Sequence, residues 1–176
     1  KTIFRTCPRA QLFSKSQMAF SRDWIAGQIK KKPAELRVSL IHEDSAYGSS
    51  IARNLEAEAK AAGVPLTSVI PYDSKAIDLS SVILRLKNDK PDVVVGVSYA
   101  NDAILIGRQA KELGLDIQAF IGTGGGHSLS GFAEALGPAS VTVLVGTQAP
   151  PIGGTFRPDA PDSHVNLLSY SPLTES

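Results

Sequence analysis

The chain has 176 residues, of which 18 are Lys or Arg and 17 are Asp or Glu, so its formal net charge is +1. A charge this close to zero offers no basic field to a phosphate backbone, which argues against a nucleic-acid partner. Hydrophobic residues make up 43% of the sequence, as in an ordinary globular protein, and the length predicts one domain. No run of the sequence approaches the roughly 18 apolar residues of a membrane span.

The cysteine content, the start of the sequence and its one basic run give further information about the chain. Cys7 is the only cysteine, so no disulfide can form within the chain. The sequence starts without a Met or a signal peptide, and we expect Lys1 to be the cut end of a longer chain. The basic run at residues 30–32 lies beside Pro33 at a predicted helix end, where cations complement the helix dipole, so we interpret it as a solvated helix end.

The first half of the chain alternates predicted strands and helices. Residues 2–6 are β-branched or aromatic and predict a short strand or crossing segment, while apolar residues of 11–31 have loosely helical spacing. A strand at 36–41 leads into the clearest helix, which runs from Ser49 to a stop at Gly63. The apolar stripe of this helix consists of Ile51, Leu55, Ala59 and Ala62.

The second half continues the alternation. Residues 66–70 predict a strand that is broken by Pro71, and Asp78 is the expected N-cap of the next helix. The continuous apolar run at 92–97 is typical of a strand covered on both faces. The helix after it ends at Gly114 and carries on one side Ala103, Ile106, Gly107, Ala110 and Leu113.

The remaining elements complete the predicted α/β architecture. They are a strand at 117–121, a glycine-rich turn at 122–126, a helix at 129–136 and a strand at 141–145. Strand and helix thus alternate about five times, which predicts a Rossmann-like three-layer sandwich with a mostly parallel sheet and right-handed crossovers. We expect this α/β lobe to span residues 1–149, followed by an irregular Pro- and Gly-rich tail at 150–176.

The candidate ligand-binding residues lie where strands end, because ligands of parallel α/β sheets bind at the carboxyl ends of the strands. Three such ends carry polar residues: 42–47, 98–102 and 122–127. Tyr47 and Tyr99 each offer a flat apolar face and a hydroxyl group, Asp102 could meet an ammonium group, and helix N-termini offer N–H groups to anions. Alternatively, Tyr47 packs its ring between strand and helix, and Asp102 only caps the helix that follows.

No catalytic constellation emerges from the sequence. Ser45 or Ser98 together with a histidine would be a candidate nucleophile and base, but the sequence contains no nucleophile elbow. Glu43 and Asp44 are adjacent, so their side chains point apart and do not form an acid–base pair. Metal binding is not indicated, because the histidines are widely scattered: His42, His127 and His164. The glycines of 122–126 match a dinucleotide fingerprint only weakly. We interpret them as a flexible turn near a ligand, or as a structural turn. A small nucleotide-binding enzyme that uses these glycines is the alternative function. The sequence predicts no catalytic residue, no metal and no cofactor.

Five segments occur in a characteristic order: HEDSAYGSSIAR (42–53), AAGVP (61–65), YDSKAIDLSSVILRLK (72–87), KPDVVVGVSYANDA (90–103) and RQAKELGL (108–115). Together with FRT (4–6), the stretch from about Phe4 to Gln148 resembles the periplasmic substrate-binding proteins of branched-chain amino acid ABC transporters. The residues after Pro150 do not follow the family pattern.

The resemblance implies a type I periplasmic binding protein fold, in which two α/β lobes trap the ligand, and this chain is similar to the second lobe. It implies that Tyr47 and Tyr99 contact the ligand. The position of a family glutamate that holds the ligand ammonium corresponds to Gly124, so Asp102 would have to take over the charge. The full set of expected ligand-binding residues is Tyr47, Tyr99, Asp102, Ser98, Thr123 and Gly124.

The function implied by the resemblance is that of a non-catalytic solute-binding component of an ABC importer, exported to the periplasm. Its ligand would be an amino acid or a related small polar molecule. Its partners would be the missing first lobe of the same receptor and the membrane-embedded permease, with no nucleic acid. The exposed inter-lobe face could also support a homodimer. A ligand-sensing regulatory domain built on the same lobe is a further alternative.

Overall fold

The computed structural model describes residues 9–123, 125–128 and 130–136. Its sheet has four parallel strands in the order β2-β1-β3-β4: β1 (Val38–Glu43), β2 (Leu66–Tyr72), β3 (Val93–Val97) and β4 (Ala119–Gly122). The strands after β1 are added first on one side of it and then on the other. The direction in which successive strands are added therefore reverses between β1 and β3. Doubly wound sheets form their ligand crevice at such a reversal point.

Helices cover both faces of this sheet. The helices are α1 (Ala10–Phe20), which continues through a π-helical turn (Ser21–Ile25) into α2 (Ala26–Gln28), then α3 (Ala46–Ala62), α4 (Ser80–Asp89), α5 (Ala100–Glu112) and α6 (Ser130–Leu136). Short 3-10 turns lie at Pro33–Glu35 and Gly125–Ser128. No helix in the described stretches has the combination of length and apolar character that a membrane crossing would require.

The core consists of two apolar layers, one on each face of the sheet. Val93, Val95 and Val97 of β3 pack with residues of α1 and α3, whereas Val94 packs with residues of α4 and α5. All five residues of β3 are buried, which confirms the strand covered on both faces. The three-layer α/β architecture predicted from the sequence is therefore confirmed over the described residues.

The predicted stripe of α3 is confirmed, and its start is sharper than expected. Ile51, Leu55 and Ala59 are buried, and Gly63 ends the helix with a φ of +67°. The helix begins at Ala46, three residues before the expected start, because the Oγ atom of Ser45 accepts a 3.1 Å hydrogen bond from the N–H of Tyr47 and caps it.

Two predicted boundaries in the next unit are wrong. β2 continues through Pro71 to Tyr72, since it is an edge strand of the sheet formed by the described residues, and an edge strand tolerates a missing N–H on its outer side. The N-cap of α4 is Leu79 and not Asp78, although Asp78 still accepts a 2.8 Å hydrogen bond from the N–H of Ser80. The predicted strands at 2–6 and 141–145 and the tail at 150–176 lie outside the described residues.

Candidate functional site

Two tyrosines lie side by side where β1 and β3 end. Tyr47 belongs to the first turn of α3, and Tyr99 is the residue before α5. Their ring centroids are 6.3 Å apart, and the ring planes are tilted by 38°. Tyr47 is half-buried against the core, whereas Tyr99 is 49% exposed. One side of the ring pair is therefore anchored in the fold, and the other faces solvent.

The tyrosine pair is tied to the end of β4 through Thr123. The hydroxyl of Tyr47 donates a 3.4 Å hydrogen bond to the carbonyl oxygen of Thr123. The side chain of Thr123 is fully buried and accepts a hydrogen bond from the amide of Gln17 in α1. Thr123 therefore presents its main chain to this edge and directs its side chain into the protein. Burial, followed by the proximity of Tyr99 and Glu43, raises the pKa of Tyr47, so its hydroxyl stays protonated at neutral pH.

Glu43 forms the junction between β1 and α3. It is fully buried, and its carboxylate accepts hydrogen bonds from the N–H of Ser45 at 2.6 Å, the hydroxyl of Ser45 at 2.9 Å and the N–H of Gly48 at 2.7 Å. These donors include N–H groups that lack partners within the helix, and the negative charge complements the positive end of the helix dipole. His42 and Glu43 thus lie inside the strand and not in the turn after it, where the sequence predicted them.

Asp102 lies in the first turn of α5. It is 3% exposed, and its carboxylate lies 2.7 Å from the hydroxyl of Tyr72, which also lies 3.0 Å from the carbonyl oxygen of Val97. Burial raises the pKa of Asp102, while hydrogen bonds from Tyr72 and from backbone groups at the start of α5 oppose the shift. Burial and the nearby Asp102 likewise raise the pKa of Tyr72. The hydrogen-bond partner of the Asp102 side chain is thus Tyr72, and both its ligand role and its helix-capping role stay predictions.

Ser98 and His127 form a buried pair beneath the exposed edge. The Oγ atom of Ser98 is 3.1 Å from Nδ1 of His127, and both residues are buried. The imidazole lies between the rings of Phe120 and Phe132, each with a centroid distance of 5.2 Å. Burial lowers the pKa of His127 to about 4, so the ring is neutral at physiological pH. Ser98 has no exposed surface, so it is not placed to attack a substrate.

The backbone conformation and close packing of the chain explain the glycines after β4. Gly125 has a φ of +52°, and a Cβ atom on Gly126 would lie 2.0 Å from the carbonyl oxygen of Tyr99. The N–H of Gly126 donates a 3.2 Å hydrogen bond to the carbonyl oxygen of Ser98. This stretch forms a 3-10 turn pressed against the β3–α5 junction, which favours a structural turn over a dinucleotide loop. Gly124 lies outside the described residues.

A cavity of about 490 Å³ opens beside Tyr99, within the size range of small-molecule sites. Its lining residues are Ser74, Tyr99, Ala100, Asn101, Asp102, Gly125 and Gly126. Ser74 comes from the loop after β2, which the sequence did not single out. The described residues contain no group of three or more His, Cys, Asp or Glu side chains that could hold a metal ion.

The strand order and the aromatic pair across its reversal point define a doubly wound α/β domain of the kind that binds ligands at the carboxyl ends of its strands. The chain belongs to the periplasmic binding protein family: the family model described as "Periplasmic binding protein" matches residues 18–158. The resemblance stated from the sequence motifs is thereby confirmed.

Curated relatives from Brucella agree with this assignment. The chain is 39% identical over 173 residues to the Leu/Ile/Val-binding protein homolog 8 of Brucella abortus (strain 2308), an alignment that covers 98% of this chain and 40% of the relative. It is 35% identical over 137 residues to homolog 7 of Brucella suis biovar 1 (strain 1330), covering 78% of this chain and 34% of the relative. The chain thus spans well under half the length of these relatives. Similarity continues past residue 150, so the expectation that the family pattern ends there is wrong.

Solved structures show the same fold. The leucine-, isoleucine-, valine-, threonine- and alanine-binding protein from Brucella ovis, in its closed conformation, gives a TM-score of 0.64 at 20% identity, covering 77% of this chain and 32% of that chain. An extracellular ligand-binding receptor from Rhodopseudomonas palustris HaA2 gives a TM-score of 0.65 at 22% identity, covering 78% of this chain and 35% of that chain. At these identities the likeness concerns the fold alone.

Proposed function

We propose that this chain provides the second lobe of a two-lobe solute-binding protein that delivers its ligand to an ABC importer. The observation that carries the proposal is the pair of tyrosine rings, 6.3 Å apart, across the reversal point between β1 and β3. In this proposal the ligand lies over Tyr47 and Tyr99. Family membership supports a binding role, and the names of the Brucella relatives support an amino acid or a related small molecule as the ligand.

The geometry suits a surface that covers a ligand from one side. Tyr99 presents an exposed ring, and beside it lies the half-buried ring of Tyr47, whose hydroxyl donates to the carbonyl oxygen of Thr123. Binding proteins of two lobes bury their ligand by closing around it, and the enclosed, dry site strengthens each polar contact. We therefore expect this chain by itself to bind its ligand weakly. A non-catalytic role, a periplasmic location and a membrane permease as partner complete the proposal.

A nuclear magnetic resonance titration of the chain with leucine, isoleucine and valine tests the proposal, because chemical shifts detect weak binding. We expect amide shifts at Tyr47, Tyr99 and Thr123, and none at Asp92 on the opposite edge of the sheet. Replacing Tyr99 by Ala should abolish the shifts without unfolding the protein. Leu84→Ala is the matched control, since Leu84 on α4 is 47% exposed and lies away from the site. Shifts that leave Tyr47 and Tyr99 unchanged would contradict the proposal.

The same surface is where we propose that the first lobe, or a second copy of this chain, docks. Tyr99 is one of the large hydrophobic side chains that the described structure exposes. Exposed apolar surface of this kind favours association. Light scattering at rising protein concentration measures the association, and Tyr99→Ala should weaken it. A clean monomer at high concentration would argue against the homodimer.

A further inference from the structure

We infer that the loop between β2 and α4, residues 73–79, belongs to the ligand-binding surface, and that Ser74 is a further ligand-contacting residue. This inference rests on the proposed function and adds a contact to its site. The hydroxyl of Ser74 binds a polar group of an amino-acid-like ligand that reaches past the ring of Tyr99. Gln109 of α5 is the residue that positions the loop.

The loop leaves the sheet at the edge where the two tyrosines lie. Tyr72, the last residue of β2, pairs with Glu43, the last residue of the parallel strand β1. Ligands of doubly wound sheets bind outside these carboxyl ends of the strands. Ser74 follows two residues after Tyr72 and lines the cavity of about 490 Å³ together with Tyr99. The loop is therefore one wall of a cavity that the start of α5 and the 3-10 turn after β4 also line.

The side chain of Ser74 is suited to bind a polar group of a ligand. A serine hydroxyl donates one hydrogen bond and accepts two, so it can pair with an ammonium, a carboxylate or a hydroxyl group. Ser74 is partly exposed, which leaves it accessible from the cavity. The inference therefore concerns where the ligand is contacted and makes no statement about its charge.

Hydrogen bonds shape the first half of the loop before any ligand binds. Asp73 accepts a 2.8 Å hydrogen bond from the N–H of Lys75 through Oδ1, and its carbonyl oxygen accepts a 3.0 Å hydrogen bond from the N–H of Ala76. Ser74 lies inside this turn. A group that is already held in place loses less conformational freedom when a ligand binds, so more of its interaction energy contributes to affinity.

Gln109 holds the second half of the loop against α5. Its Nε2 atom donates a 2.8 Å hydrogen bond to Oδ1 of Asp78, and its Oε1 atom accepts a 2.7 Å hydrogen bond from the N–H of Leu79. Gln109 does not line the cavity itself. It joins the loop that carries Ser74 to the helix that begins directly after Tyr99, and so it acts on the ligand through the loop.

A nuclear magnetic resonance titration of the whole chain with leucine, isoleucine and valine tests the Ser74 contact. The amide of Ser74 should shift along the same saturation curve as the amide of Tyr99. Ser74→Ala should weaken binding by about two- to tenfold, which is the effect of losing one hydrogen bond. Ile77→Ala is the matched control and should leave the affinity unchanged, because Ile77 belongs to the same loop, is 94% exposed and does not line the cavity.

Gln109→Met tests the positioning role, since methionine has a similar length but forms neither hydrogen bond. The substitution should weaken binding in the parent chain and have little further effect in a Ser74→Ala background, because the contact that Gln109 positions is then missing. Faster amide hydrogen exchange at Leu79 checks that the loop has been released. Equal losses of affinity in the two backgrounds would show that Gln109 does not act through Ser74.

Shifts at Tyr47 and Tyr99 that leave Ser74 unmoved would overturn the inference and leave the proposed function standing. Unchanged affinity of the Ser74→Ala variant would do the same. An equal loss of affinity in Ile77→Ala would also overturn the inference, because the effect would then not belong to the Ser74 hydroxyl. Absence of shifts at both tyrosines and at Ser74 with all three amino acids would overturn the proposed function itself.

Discussion

The N–H of Gly48 donates a 2.7 Å hydrogen bond to Oε1 of Glu43, so the last residue of β1 closes the first turn of α3. Tyr47 lies within that turn. The position of a ring at the solvent-exposed edge therefore depends on a buried carboxylate that faces away from solvent. Because the same carboxylate also binds Ser45, strand and helix are fixed to one another at three points.

Replacing Glu43 by Gln tests this junction. The amide keeps the shape of the side chain but turns an N–H₂ group toward backbone donors, so at least one buried donor loses its partner. We expect the free energy of unfolding to fall by about 1–3 kcal/mol, as measured by urea denaturation. The control is Asp44→Asn, which alters the adjacent but exposed carboxylate and should change stability by less than about 0.5 kcal/mol. Equal effects of the two substitutions would show that Glu43 does not hold the turn.

The hydrogen bond between Gly48 and Glu43 requires a residue without a side chain at position 48. A Cβ atom there would lie 2.1 Å from the carbonyl oxygen of Glu43, which is backbone and cannot move aside freely. We expect Gly48→Ala to destabilise the protein by roughly 1–3 kcal/mol through overpacking. Gly27→Ala is the matched control, because Gly27 lies in α2 with open space around it.

The control should be neutral or stabilising by up to about 1 kcal/mol, since alanine favours the helix over glycine. Thermal denaturation of both variants measures the difference. The expected order of melting temperature is Gly27→Ala at or above the parent chain and Gly48→Ala below it. The reverse order would contradict the packing described for the β1–α3 junction.

The fold was predictable from the sequence because its signals are local. The apolar run of β3, the stripe from Ile51 to Ala59 and the stop at Gly63 each depend on neighbours within a few residues. The sequence predicted that Tyr47 and Tyr99 share one edge of the sheet, but not that their rings lie side by side. That proximity depends on β1 and β3 being neighbours, and neither segment alone reveals the strand order. Family resemblance supplied the expectation that both tyrosines contact the ligand.

Other features of the site depend on contacts that no local pattern reveals. Gln17 is a polar residue in an amphipathic helix, where a solvated position is the usual expectation, yet it is fully buried and binds Thr123, 106 residues further along the chain. Tyr72 follows Pro71, which read as a strand breaker, although the edge position of β2 lets the strand continue and bring Tyr72 to Asp102.

The Gln17–Thr123 contact predicts a strongly non-additive pair of substitutions. Thr123→Val removes the acceptor of the Gln17 amide and leaves a buried donor unpaired, so we expect a loss of about 1–3 kcal/mol in the free energy of unfolding. Thr123→Ser keeps the hydroxyl and is the control that should retain most of the stability. Gln17→Met combined with Thr123→Val replaces both polar partners by apolar groups.

The double variant should be more stable than the sum of the two single effects predicts, because no buried polar group is left unpaired. Urea denaturation of the parent chain, the single variants Gln17→Met and Thr123→Val and the double variant gives the coupling free energy directly. Gln17 Oε1 has no hydrogen-bond partner within the described structure, so its loss adds no broken contact. Additive effects of the two substitutions would contradict a direct hydrogen bond between these side chains.

His127 makes the stability of the domain depend on pH. The ordinary pKa of histidine is 6.5, and burial between Phe120 and Phe132 lowers the pKa of His127 to about 4. Between these values the unfolded chain binds a proton that the folded chain does not, so the free energy of unfolding falls as the pH drops through this window. The shift corresponds to roughly 3 kcal/mol, lost progressively between pH 6.5 and about pH 4. His127→Gln retains a hydrogen-bonding group beside Ser98 but cannot titrate. Urea denaturation at a series of pH values should therefore show a shallower pH dependence in the variant than in the parent chain. Parallel pH profiles for the two proteins would show that the histidine is already accessible to protons in the folded state.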